Sequence, residues 1–311
     1  SIHSALLSRS SVQDQESSLS NFRSDHTSNN TINTIYIPFT MAGQLILVDA
    51  IADSTYGKFI LDTGSERLVL NSKHFAPSGK GESIVSTGNT GLVASVTGES
   101  IAHLYIGSMI FKNQFAHIID LEHIELKKHT RIIGILGFDV FKNFELFIDF
   151  QQQMIALYRL DRVGNRIDTY TKSEVPTDSL RFEQIKHLIL VPVEINKVRL
   201  KMILDSGAEL SLIDRHINRK VLDHFTIIQR VNMVGVGQSK VEVLAGILTD
   251  VHCSDQIEKR MNTLLTSLDE INAAFEIQAD GVIGFEFFKT RRTLINYTTR
   301  TIYFFDPIRS S

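Results

Sequence analysis

The sequence predicts a mostly β protein of two lobes, each a small closed, barrel-like sheet, with a pseudo-two-fold axis between them. Three observations carry that reading. From residue 35 onward, short runs rich in β-branched and aromatic residues alternate with glycine and other turn formers, as in a sandwich or barrel. Helical periodicity is confined to 264–275 and a turn or two at 138–144. Two blocks of sequence recur in the same order, at a spacing far above any solenoid period.

Along the chain, residues 1–33 are rich in Ser, Asn, Gln and Thr and read as a flexible polar lead-in, with room for a short helix at 5–7 or 19–22. Strands are expected at 35–39, 45–51, 58–61, 68–70, 100–106, 115–119, 132–136, 144–150, 154–158 and 189–191. The first lobe is assigned to 34–160 and the second to 186–311. The polar, charged stretch 161–185 between them reads as a linker.

The repeat is specific. Lys58-Phe59-Ile60-Leu61-Asp62-Thr63-Gly64-Ser65-Glu66 returns as Lys201-Met202-Ile203-Leu204-Asp205-Ser206-Gly207-Ala208-Glu209, an offset of 143 residues from 62 to 205. Gly134-Ile135-Leu136-Gly137-Phe138-Asp139-Val140-Phe141-Lys142 returns as Gly281-Val282-Ile283-Gly284-Phe285-Glu286-Phe287-Phe288-Lys289, at an offset of 147. The run 147–150 matches 294–297 at the same offset.

Each first block has a physical logic. Its apolar residues form a buried strand that fixes the position of its own end. The glycine lets the chain turn and lets a neighbour approach closely. The Thr or Ser hydroxyl can bond across to the other loop. The aspartate sits at the strand end, facing a cleft. Two carboxylates held together cannot both ionise cheaply, so the pair shares a proton. The charged one can then act as general base on a water while the other serves as acid. Asp149 has Asn296 as its counterpart, which argues against a symmetric catalytic role for that position. Asp139 and Glu286 are expected to cap the short helices that follow them.

Composition narrows the alternatives. The chain has 311 residues, 43% of them apolar, enough for a sizeable core. A net charge of −3 argues against the basic surface that a phosphate-backbone binder needs, so no nucleic-acid partner is expected. No apolar run approaches the ~20 residues that span a bilayer. The single cysteine, Cys253, forms neither an internal disulfide nor a thiolate metal site. It follows His252, and adjacent strand residues face opposite ways, so a buried, chemically idle thiol is expected rather than a nucleophile with its base. His117, His123 and His129 match no common zinc spacing. Gly235-Val236-Gly237 lacks the third glycine and the βαβ setting of a dinucleotide loop. No Gly-x-Ser-x-Gly elbow occurs. Asn29-Asn30-Thr31 and Asn296-Tyr297-Thr298 carry the glycosylation acceptor pattern.

On these four blocks the chain resembles the aspartic peptidase superfamily, in its retropepsin-like branch, with two units fused in one chain. Asp62-Thr63-Gly64-Ser65 and Asp205-Ser206-Gly207-Ala208 are similar to that family's catalytic loops, and Ile135-Leu136-Gly137 and Val282-Ile283-Gly284 to its hydrophobic-hydrophobic-glycine motif. The resemblance covers roughly 35–160 and 186–311. It implies an acid-protease fold and an aspartic endopeptidase acting on peptide or protein through Asp62 and Asp205, without metal or cofactor. Thr63, Gly64, Ser65, Ser206, Gly207 and Ala208 would support the loops, and Gly137 and Gly284 would lie beneath them. Flexible flaps are placed at 86–91, around Gly88, and at 234–238, around Gly235 and Gly237. No Tyr lies near Gly88 and the chain has no Trp, which favours the retropepsin-like branch over the pepsin branch. Fusion of the two units implies a monomer that is an internal pseudo-dimer. Two other readings fit the same residues: a peptide-binding protein that no longer cuts, and a self-processing protein whose N-terminal segment fills the cleft. An extracytoplasmic location would follow if a signal peptide once preceded residue 1.

Overall fold

The computed structural model describes residues 32–76, 82–87, 93–168, 174–234, 240–254, 256–258 and 260–308. It is a mostly β, bilobal protein. The polar lead-in up to residue 31 lies outside the described residues, as do Gly88, Gly235 and Gly237 of the expected flaps.

The first lobe runs β1 (Thr34–Ala42), β2 (Leu45–Ala52), β3 (Thr55–Leu61), β4 (Leu68–Asn71), β5 (Glu82–Thr87), β6 (Val93–Ile106), β7 (Met109–Ile119), α1 (Glu122–Lys128), β8 (Ile132–Leu136), α2 (Phe138–Phe141), β9 (Phe144–Asp149) and β10 (Met154–Arg159). Strands β2-β3-β8-β4-β7-β6 follow one another in pairing order, and β6 returns to β2 through Ala50↔Ile106, Ile51↔Tyr105 and Ala52↔Leu104. The ring is therefore a closed six-stranded barrel. Phe59, Leu61, Leu68, Leu70, Leu104 and Ile106 fill it and are all but inaccessible to solvent. Each such side chain contributes about 1.5–3 kcal/mol of burial.

The second lobe repeats the order with β11 (Asp178–Arg181), β12 (Glu183–Ile185), β13 (Leu188–Ile195), β14 (Val198–Leu204), β15 (Ser211–Asp214), α3 (Arg219–Leu222), β16 (Phe225–Val234), β17 (Lys240–Leu248), β18 (Val251–Cys253), β19 (Gln256–Glu258), β20 (Met261–Thr266), α4 (Asp269–Phe275), β21 (Gly281–Ile283), α5 (Phe285–Lys289), β22 (Arg292–Asn296) and β23 (Thr301–Phe305). Strands β13-β14-β21-β15-β20-β17 take the ring positions. The counterpart of β6 is interrupted at Thr249-Asp250, where Asp250 has φ +60°, so β17 pairs β20 while β18 turns onto β13.

The duplication reaches the backbone angles. Left-handed residues fall at matched sites: Gly43 and Lys186, and Asp53 and Asn196, at the first offset; Gly107 and Ser254, His129 and Glu276, and Gln153 and Arg300, at the second. His129 and Glu276 end α1 and α4. Asp149 and Asn296 brace the same hairpin turn in each copy, accepting from the Gln152 amide (2.9 Å) and the Thr299 amide (3.0 Å).

The lobes share a six-stranded sheet, β11-β23-β22-β9-β10-β1. At its centre β9 pairs β22, with Phe147 opposite Leu294, Leu146 opposite Ile295 and Ile148 opposite Thr293. Phe147 and Leu294 are themselves repeat partners, so the pseudo-two-fold axis passes through this pair. The stretch 161–185 is not all linker: β11 and β12 within it pair β23 and β13, and so stand where β1 stands in the first copy.

Three further expectations are corrected. Helix α4 begins at Asp269, because Met261–Thr266 pairs with both β17 and β15. Helix α1 was not anticipated, since seven residues give too little periodicity to stand out. Asp139 and Glu286 are not helix caps: Gly137 and Gly284 hold the N-cap positions, and the two acids lie one residue inside. Asp139 pairs with Arg67 (3.2 Å) and Lys142 (2.7 Å). Glu286, buried, accepts from the Asn262 amide (2.8 Å) and side chain (2.7 Å) and so anchors the start of β20.

Candidate active site

Asp62 follows β3 and Asp205 follows β14. Both strands end in three buried apolar residues and pair in parallel with the motif strands β8 and β21. That pairing continues one residue further, as the Asp62 amide donates to the Leu136 carbonyl (3.1 Å) and the Asp205 amide to the Ile283 carbonyl (3.0 Å). The position of each aspartate is thus set by its partner strand rather than by a free loop.

The loops are then locked from beneath. The Phe138 amide donates to the Ser65 carbonyl (2.8 Å) and the Phe285 amide to the Ala208 carbonyl (2.9 Å). A Cβ on Gly137 would lie 2.5 Å from the Arg67 carbonyl oxygen, and one on Gly284 2.1 Å from that of Ala208. No side chain fits there, which accounts for the glycine that closes each hydrophobic motif.

The two aspartates meet across the lobe interface. An ideal Cβ on Gly64 would fall 2.5 Å from Asp205 Cγ, and one on Gly207 2.5 Å from Asp62 Cγ. Each loop glycine therefore lies against the opposite carboxyl group. Gly64 and Ser65 amides donate to Asp62 Oδ1 (2.8 and 3.0 Å), and the Gly207 amide donates to Asp205 Oδ1 (2.8 Å). Thr63 and Ser206 are buried and cross-bonded between the loops. Burial first, and then the Asp205 carboxyl beside it, push Asp62 well above the usual carboxylate range. Every described residue singled out for the loops and the motif glycines falls in this one place.

A cavity of about 560 Å³ opens beside the pair, on the second-lobe side. Gly64, Asp205 and Gly207 form its floor, Leu188, Ile203, Leu212, Leu264, Ile271, Phe275 and Val282 its apolar wall, and Lys127, Lys128 and Glu209 add charge. Lys128 of the first lobe pairs with Glu209 of the second.

Sequence reasoning missed several groups around the site. His187 is buried and its Nε2 lies 3.1 Å from the Gly64 carbonyl oxygen. Tyr297 is buried and its hydroxyl has no hydrogen-bond partner among the described residues; burial, then the nearby Asp62 charge, push its phenol upward. Gln44 and Lys128 reach Glu209 from the first lobe. The available signal was in the repeat: Gln44 corresponds to His187 and Lys128 to Phe275, changes of chemical type inside an otherwise matched frame.

Other groups take structural places. Cys253 is buried, with Sγ facing the Pro192 carbonyl at 3.8 Å, and His252 pairs with Asp250 (2.8 Å). Asn296 is buried and bonded to Glu145 (3.0 Å), so its acceptor pattern is closed to modification in the folded chain. No helix among the described residues is long and apolar enough to cross a membrane. No protein-family model matches the chain, and no curated protein sequence matches it.

Proposed function

We propose that the protein is an aspartic endopeptidase in which Asp62 and Asp205 act together on one water. The observation that carries this reading is the abutment of each loop glycine on the opposite aspartate, Gly64 on Asp205 and Gly207 on Asp62. It brings two carboxyl groups, one from each repeat, to a single point in a cleft.

The chemistry follows from that proximity. One proton shared by the pair leaves one carboxylate as base and one carboxylic acid as donor. The base takes a proton from water as the oxygen attacks the scissile carbonyl. The acid hydrogen-bonds the carbonyl oxygen, and a proton then passes to the leaving nitrogen as the C–N bond breaks. Water supplies the OH of the new acid and the hydrogen of the new amine, so the reaction balances without a covalent intermediate. The amides that hold each Oδ1 keep the carboxyls oriented, and the two carboxyl groups bond to each other across the pair. The apolar wall from Leu188 to Val282 suits a large apolar side chain next to the scissile bond.

The test is cleavage of a mixed peptide library between pH 3 and 7, with and without a statine-type transition-state analogue. The reading expects cuts beside large apolar residues, suppressed by the analogue. Peptide binding without cleavage at any pH would overturn it in favour of a non-cutting peptide binder. Cuts confined to the protein's own N-terminal segment would favour self-processing.

A further inference from the structure

We propose that His187 is a positioning residue for the Asp62 loop, holding the Gly64 carbonyl from the opposite lobe through its Nε2 hydrogen. Its kinetic consequence rests on the peptidase reading; its geometry does not.

His187 stands immediately before β13 and is 4% exposed. A carbonyl oxygen only accepts, so the contact with Gly64 requires a ring hydrogen on Nε2, and in the neutral ring that burial favours Nδ1 is then a bare acceptor. That Nδ1 is buried and has no hydrogen-bond partner among the described residues. Burial pushes the imidazole below its usual range; Glu66, the Gly64 carbonyl and Asp205 pull it upward and Lys186 presses it further down. The ring stands edge-on to Phe275, at 5.3 Å and 77°.

A buried acceptor with no partner destabilises a fold. A phenyl ring would fill the same space and keep the Phe275 contact without that cost. What imidazole adds is one N–H directed at the loop that carries Asp62. The other lobe has a reciprocal tie: at the matched position Gln44 donates its backbone N–H to Glu209 (3.2 Å), which also pairs with Lys128. Each lobe thus holds the other's loop just beyond the aspartate. Small rotations of the lobes would otherwise separate the two carboxyl groups, and a misplacement of about 1 Å costs a rate factor on the order of 10².

The experiment uses the full chain with His187→Phe and His187→Gln, whose amide nitrogen overlays imidazole Nε2. Amide hydrogen exchange across residues 63–66, thermal midpoint and kcat and KM on the best library peptide are measured. His187→Phe should keep or raise the midpoint while exchange quickens roughly tenfold. Its kcat should fall on the order of 10²-fold, with KM changed by roughly threefold at most. His187→Gln should recover both exchange and kcat. Wild-type exchange in His187→Phe, or equal impairment in His187→Gln, would overturn the inference. Should His187→Phe fail to fold, His187→Asn, whose amide is too short to reach Gly64, replaces it under the same criteria. Exchange is read whether or not the protein cuts: a silent wild type with a loosened His187→Phe loop refutes the peptidase and keeps the tie, and an active wild type with an unchanged loop does the reverse.

Discussion

Thr63 and Ser206 are bonded to each other in both directions. The Thr63 amide donates to Ser206 Oγ (3.0 Å) and the Ser206 amide to Thr63 Oγ1 (2.9 Å). Each hydroxyl then donates to the carbonyl just ahead of the opposite aspartate, Thr63 to Leu204 (3.3 Å) and Ser206 to Leu61 (3.0 Å). Every hydroxyl in this circuit is used as donor and acceptor, and all four bonds cross between lobes. Ser206→Ala leaves the Thr63 amide and the Leu61 carbonyl buried and unpaired, so it should cost about 1–3 kcal/mol in urea unfolding. Ser206→Thr should cost less. Combined with Thr63→Val, the loss should be smaller than the two single losses together, because both remove the same circuit.

The loop glycines predict a different signature. A methyl group at residue 64 or 207 must displace the facing carboxyl group rather than a flexible chain end. Gly64→Ala and Gly207→Ala should each lower kcat on the order of 10²-fold while the protein stays folded by circular dichroism. Wild-type turnover in either variant would remove the close approach from the account.

The raised pKa of Asp62 sets the sign of a stability difference. A group raised in the folded state binds protons more tightly there than in the unfolded chain. Its favourable contribution is complete below the unfolded value near 3.8 and is lost as pH rises through the higher folded value. Asp62→Asn removes that penalty, so its thermal midpoint should exceed wild type at pH 7, and the gap should close toward pH 3. A gap that widens on acidification would contradict the raised value.

The cavity predicts specificity. Phe275→Ala enlarges the apolar wall, so the preference should shift toward bulkier side chains. The ratio of kcat/KM between Trp- and Leu-containing peptides should change roughly tenfold, read from library cleavage. An unchanged ratio would place the specificity pocket elsewhere.

Much of this was legible in the sequence because the duplication writes each constraint twice. Gly64, Gly207, Gly137 and Gly284 are glycine for steric reasons that act identically in both copies. Other features were hidden. Strands β11 and β12 are short and half-exposed, so Asp178–Arg181 and Glu183–Ile185 read as a polar linker until β23 and β13 are seen beside them. Asp139 and Glu286 sit where caps are common, yet their partners come from far along the chain, Arg67 from the bend before β4 and Asn262 from β20. His187 carries no local signal, since its contact with Gly64 spans 123 residues.

The most direct test is turnover of the best-cut library peptide by Asp62→Asn and Asp205→Asn beside wild type. The account predicts that each substitution alone abolishes cleavage while circular dichroism shows both proteins folded, because neither carboxyl can serve without the other. Wild-type turnover in either variant would contradict the shared-water dyad.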